Sequence, residues 1–243
     1  MVDDPFADPP VMQAQTILEK AGIATVYNNA SAPYKKTTPA APAPHADKVV
    51  AAHPQIVLIG SVDVPTVSAF INEFKRLRFN PQMIIAAAGP DQGKAFLNAI
   101  GTSNAFGIMV PNAWYGGFQN ALSHVMVQEY IARYGGTASD INADVAEAYS
   151  AGQVMANAVD SVGLSQQKII GFLHSRGTQM DTVQGLAQWG KYTKGQPSGQ
   201  NLKASSFVFQ WQPGTPARFM QVLSLQGKPS LHIVVSKPQW VTG

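Results

Sequence analysis

Residues able to do covalent or metal chemistry are few and scattered in this 243-residue chain. Gly89-Pro90-Asp91-Gln92-Gly93-Lys94 follows an apolar run, where a phosphate-binding loop would sit. It is one residue short between its glycines, and Ala95 replaces the Ser or Thr that would ligate magnesium. It reads instead as a strand-to-helix turn. No GxGxxG follows the first apolar run, so a dinucleotide fold lacks its fingerprint. His45, His53, His124, His174 and His232 never pair at i, i+4, and none stands beside a carboxylate in a metal-ligand pattern. No GxSxG elbow exists for a nucleophilic serine. Asp3, Asp4 and Asp8 lack the regular spacing and glycine turn of a calcium loop. Cysteine is absent, which excludes thiolate nucleophiles, disulfides and zinc-thiolate sites. These residues argue for neither catalysis, nor a metal, nor a cofactor.

What remains is polar chemistry at the ends of apolar runs: Asn28-Asn29, Gly60-Ser61-Val62-Asp63 and Ala87-Ala88-Gly89-Pro90-Asp91. In open α/β sheets ligands bind outside the carboxyl ends of the strands, and the following helix N-termini offer backbone N–H groups. The pattern is that of a binding crevice; ordinary turns are the alternative.

The elements that must hold these turns alternate over the first 110 residues. Helices are predicted near 10–21, closed by Gly22, and near 45–52, 64–78 and 92–99. Strands are predicted at 23–27, 55–59, 82–86 and 106–110. Val67, Phe70, Ile71 and Phe74 share one helix face at i, i+3, i+4, i+7. The strands are short apolar runs without alternation, as in a parallel sheet covered on both faces. Ala32–Pro44 holds four prolines and reads as a linker or as an ordered edge loop. From 111 the rhythm changes to helices over 117–134, a second capped by Ser139 or Asp140 and running to about 162, and a third over 165–174. Strand-like pieces follow at 205–212, 219–225 and 231–236, with Trp189, Trp211 and Trp240 as core anchors. A module boundary is expected near Val110-Pro111.

Hydrophobic residues make up 45% of the chain, enough for a real core, while charged residues are 13%, about half the ordinary share. A net charge of +3 without a basic block gives no reason to expect nucleic acid or an anionic membrane as partner. No apolar run approaches a membrane span. Met1-Val2-Asp3-Asp4-Pro5-Phe6 has neither the basic nor the apolar region of a signal peptide.

Several stretches in colinear order resemble the second lobe of type I periplasmic solute-binding proteins, most closely the branched-chain amino acid (Leu/Ile/Val-binding) group. They are Asp3-Asp4-Pro5-Phe6, Ile17–Ile23, Thr37-Thr38 and Ala51–Gly60, then Phe70–Pro81. Ala148–Val159 resembles the family's long helix after the crossover, and Asp181–Gly185, Gly199–Asn201 and Phe209–Gly214 its late segment. The resemblance implies an α/β fold of two Rossmann-like lobes with parallel sheets, closing on a solute like a hinged trap. Residues 1–110 would be the second lobe lacking its first strand, with Met1-Val2 as its remnant. Residues 111–206 would be the returning half of an incomplete first lobe, and 207–243 the final crossover and C-terminal strands.

Residue by residue, Phe6 matches the aromatic that contacts ligand in the amino-acid binders, although Ala7 replaces their glycine. Val62 or Asp63 falls where those proteins place a site tyrosine. Asp91 lies close to their glutamate for the ligand's ammonium, with Asp63 as the other carboxylate. Trp114 and Tyr149 lie near the expected hinge, either lining the crevice or packing structurally. The resemblance implies a periplasmic or cell-surface solute-binding component of an ABC importer, which takes an amino acid, an amide or another small polar metabolite and delivers it to a membrane permease. A ligand-sensing domain of the same fold and a Rossmann-like enzyme are the rivals. With one wall of the site absent, the chain is expected to bind solute weakly and to expose apolar helix faces over 117–174. Submillimolar binding in calorimetry would refute this.

Overall fold

The computed structural model describes residues 4–31, 33, 42–117, 120–175, 179–189, 200–224 and 234–241. Asp3, Thr37, Thr38, Phe118, Gly199 and His232 lie outside these residues. So do the remnant strand at Met1-Val2, most of Ala32–Pro44, and residues 225 and 231–233 of the expected strands. The chain forms two compact units, residues 1–112 with 207–243, and residues 113–206.

The first unit opens with α1 (Asp8–Lys20), which carries Asp8 in its first turn and Lys20 in its last, as the helix dipole favours. Gly22, at φ +83°, closes it while Ile23 N–H returns to the Leu18 carbonyl at 3.0 Å. No residue of α1 is buried. The apolar run at 23–27, predicted as a strand, joins none among the described residues. After α2 (Ala43–Ala51) come β1 (Ile56–Ile59), α3 (Val64–Arg76), β2 (Met83–Ala86), α4 (Gly93–Ile100), a short α5 (Thr102–Ala105) and β3 (Met109–Asn112). The predicted face of α3 is the core: Val67, Ile71 and Phe74 are fully buried and Phe70 nearly so, packed with Val57, Ile59 and Ile84. Each such side chain contributes about 1.5–3 kcal/mol.

β6 (Phe207–Gln212) and β7 (Arg218–Ser224) return to this unit and complete a sheet of order β1-β2-β3-β6-β7. The strands β1, β2 and β3 are parallel, as expected; β6 and β7 are antiparallel, so the sheet is mixed. The short β6–β7 connection accounts for the antiparallel pairing of those two strands, and β6 also runs antiparallel to β3. The expectation that helices cover both faces needs correction. In β1 and β2 burial alternates, with Val57, Ile59, Ile84 and Ala86 buried and their neighbours only half-buried. Residues 234–236 form no strand; instead the Gln210 side chain donates to the Val235 carbonyl at 2.8 Å and accepts its N–H at 2.9 Å.

The second unit contains α6 (Ala121–Tyr134), α7 (Ala143–Val162), α8 (Gln166–Leu173) and the hairpin β4 (Gln179–Thr182) and β5 (Gly185–Gln188), which sequence reading missed. The cap of α7 is Asn142, whose Oδ1 accepts from Val145 N–H at 3.2 Å. Ser139 and Asp140 sit instead in a separate 3-10 turn started by Thr137, one turn upstream. Trp114, Met126, Ile141, Ala143, Ala146 and Val183 form the core of this unit. Leu122, Val125, Met155, Leu164 and Ile170 remain exposed on its helices and the turn between α7 and α8, Leu164 by 89%.

Candidate functional site

The carboxyl ends of β1, β2 and β3 carry the polar turns, and hydrogen bonds lock them together. Ser61, fully buried after β1, donates its hydroxyl to the Ala88 carbonyl after β2 at 2.6 Å. Asp63 caps α3, its Oδ1 accepting from Thr66 N–H at 2.9 Å. Gly89 has φ +108°, and a Cβ there would lie 2.6 Å from Val67 Cγ1 and 3.0 Å from the Asp63 carbonyl oxygen. Only glycine lets the two loops approach so closely. Asp91 then uses both carboxylate oxygens: Oδ1 accepts from Gly89 N–H at 2.8 Å and Oδ2 from Asn112 Nδ2 at 3.0 Å. From β6, Trp211 donates its indole N–H to the Pro90 carbonyl at 2.7 Å.

This builds a pre-organised polar rim of carboxylate, amide and hydroxyl groups above an apolar core. Such a rim can orient a small polar solute by hydrogen bonds. Among the described residues it contains no nucleophile–base pair, and no group of three or more His, Asp or Glu residues that could hold a metal ion.

The sequence-predicted residues separate clearly. Asp63 and Asp91 share the rim, linked through Gly89. Val62 precedes the cap of α3 and packs half-buried on the core. Phe6 is 64% exposed in the turn before α1, where its N–H donates to Asp4 Oδ1 at 2.8 Å. Trp114 is corrected to its packing alternative: it is 1% exposed in the core of the second unit and donates to Ser123 Oγ at 2.9 Å, leaving no face for a solute. Tyr149, on α7, is 39% exposed and donates to Glu129 Oε2 at 3.3 Å. Burial first, and the neighbouring Glu129 carboxylate second, push its phenol above the usual range.

Sequence reading missed Asn112 and the tie from Trp211. The strand predicted at 106–110 is β3, Met109–Asn112, and so runs past the expected boundary at Val110-Pro111. Pro111 pairs with Val208, and β2 pairs with β3 only at Met109, so the missing N–H leaves no ladder bond unmade on that side.

No helix of the described residues is long and apolar enough to cross a membrane. No curated protein matches the sequence. A periplasmic binding protein from Burkholderia mallei superposes with TM-score 0.68 at 13% identity, covering 99% of this chain and 61% of its own. A solute-binding protein from Rhodopseudomonas palustris in complex with 4-hydroxybenzoate gives 0.61 at 11% identity, over 98% and 60%. A substrate-binding protein from Desulfitobacterium hafniense in complex with Leu gives 0.58 at 15% identity, over 90% and 58%. The chain thus spans about three-fifths of the length of these structures, which share its fold. The sequence model described as "Periplasmic binding protein" matches residues 2–216, and the chain belongs to that family.

Proposed function

We propose that the rim at the carboxyl ends of β1–β3 is one wall of a solute site, and that the protein serves as the solute-binding component of an ABC importer. The observation that carries this reading is the convergence of the half-buried Asp63, Asp91 and Asn112 on adjoining loops at strand ends, which the buried Ser61 hydroxyl holds together. Family membership supports capture without catalysis, a membrane permease as partner, and a periplasmic location. The solute class is a small polar metabolite. Solved relatives hold Leu in one case and 4-hydroxybenzoate in another, which supports an amino acid or an aromatic acid. Phe6 is exposed enough to add a contact; Asp63 and Asp91 are the carboxylates for a cationic group.

Ligand-observed saturation-transfer NMR tests this with leucine, alanine, an amide and 4-hydroxybenzoate offered to the purified chain. Transfer to at least one of them is expected. Silence from every solute would overturn the reading.

A further inference from the structure

The loop Ala87–Asp91, which carries the central carboxylate of the rim, is tied down from both sides. From the β1 side, Ala87 N–H donates to the Ile59 carbonyl at 2.9 Å and the Ser61 hydroxyl takes the Ala88 carbonyl. Gln92 N–H closes the turn on the Gly89 carbonyl at 3.0 Å. Pro90 has no N–H, so its carbonyl is the one backbone hook it offers, and the Trp211 indole takes that hook from the β6 side in a buried bond. Trp211 itself is 5% exposed in the core of the first unit. Its backbone N–H donates to the Ile108 carbonyl at 3.1 Å and its carbonyl accepts Gly107 N–H at 2.8 Å. The Phe219 ring of β7 lies 5.0 Å from the indole, tilted by 45°. A ring clamped in this way does not follow a moving loop; the loop is held to the ring.

We propose that Trp211 is a positioning residue for the solute: acting from β6 through the Pro90 carbonyl, it sets the direction in which Asp91 presents its carboxylate, without touching solute itself. This role rests on the reading of the rim as a solute wall. The Pro90 carbonyl and the Asp91 nitrogen share one planar peptide group, so a donor fixed on that oxygen fixes the plane from which Asp91 is built. The Asp91 carboxylate is then clamped between Gly89 N–H and the Asn112 side chain. With the hook broken the peptide plane can turn, and both carboxylate bonds loosen together. A binding group works when its supporting contacts hold it within about 0.5 Å of its productive place. Trp211 stands 121 residues after Pro90, so the rim reaches its final geometry only when β6 has docked on β3. The coupling is reciprocal: a solute that engages Asp91 stabilises the docked β6 by the same factor.

The test replaces Trp211 in the full chain by benzothienylalanine, which keeps the shape of the ring and puts sulfur where the indole N–H stands. The control is the same replacement at Trp240, whose indole makes a bond of equal length, 2.7 Å, to the Phe79 carbonyl ahead of β2. Trp211→Phe, which keeps a ring against Phe219, is the second variant. In both Trp211 variants the Gly89 amide and Asn112 side-chain amide resonances are expected to shift, with hydrogen exchange at Gly89 quickened about tenfold. The dissociation constant for leucine, from saturation-transfer titration, is expected to rise about tenfold with them and to keep its wild-type value in the Trp240 control. Unmoved Gly89 and Asn112 signals would overturn the proposal. So would an unchanged leucine affinity alongside shifted signals, or an equal loss of affinity in the control, which would mark a general effect on stability. Silence of the wild type toward every solute would defeat the solute reading alone, and the Gly89 and Asn112 signals would still decide whether Trp211 holds the loop.

Discussion

The side-chain amide of Asn112, at the end of β3, donates to the carboxylate of Asp91 at 3.0 Å, joining the loop after β2 to the next strand. The other Asp91 oxygen holds Gly89 N–H, so one carboxylate organises the centre of the rim. Replacing Asp91 by Ala removes both of these hydrogen bonds in a part-buried setting. A loss of about 1–3 kcal/mol in urea unfolding is expected. An unchanged midpoint would show that Asp91 does not shape the loop.

Gly89→Ala and Gly22→Ala separate two costs. Both positions have positive φ, a strain of about 1–2 kcal/mol for an L side chain. A Cβ at Gly22 meets nothing within 4 Å, whereas at Gly89 it runs into the Asp63 carbonyl and Val67. The Gly89 variant is therefore the less stable of the two and shifts the Gly60–Asp63 amide resonances. Equal thermal midpoints would contradict the close approach of the loops.

The elements readable in the sequence are those fixed by local periodicity. The stripe of Val67, Phe70, Ile71 and Phe74 needs only a 3.6-residue repeat to be seen, and all four residues are in the core. Ile23–Tyr27 has the residue types of a strand, but pairing depends on a neighbour far along the chain, and none stands beside it among the described residues. The rim was legible in part. Asp63 and Asp91 follow apolar runs and could be singled out, whereas Asn112 and Trp211 reach Asp91 and Pro90 through a sheet order that no local pattern encodes. Trp114 was drawn toward the site by its chain position, and its burial depends on packing against Met126 and Val183.

Lys237 gives a pH signature. Burial pulls its ammonium down to about 8, although it sits 3.2 Å above the Trp240 ring and donates to Asn80 and to the Pro238 carbonyl. Between that value and the ordinary 10.5 the unfolded chain holds more protons than the folded one. Stability therefore rises with pH across this window, and below about 8 the whole cost of burying the charge is present. The difference in urea midpoint between wild type and Lys237→Met, followed across the window, should carry this slope. No slope in that difference would contradict it.

The exposed Val125 and Leu164 of the second unit form part of its uncovered apolar surface. The double variant Val125→Glu, Leu164→Glu is expected to bind less of the dye ANS and to self-associate less, with little loss of stability, since neither side chain is buried. Undiminished dye binding would place the uncovered surface elsewhere.

The central claim is that a small solute meets the strand-end rim of the first unit. Amide chemical-shift mapping of the isotope-labelled chain, titrated with the solute that responds in saturation transfer, tests it most directly. The account predicts shifts at Gly60–Asp63, Ala88, Gly89, Asp91 and Asn112. Shifts confined to Ile23–Tyr27 and β1, or to the second unit alone, would contradict it.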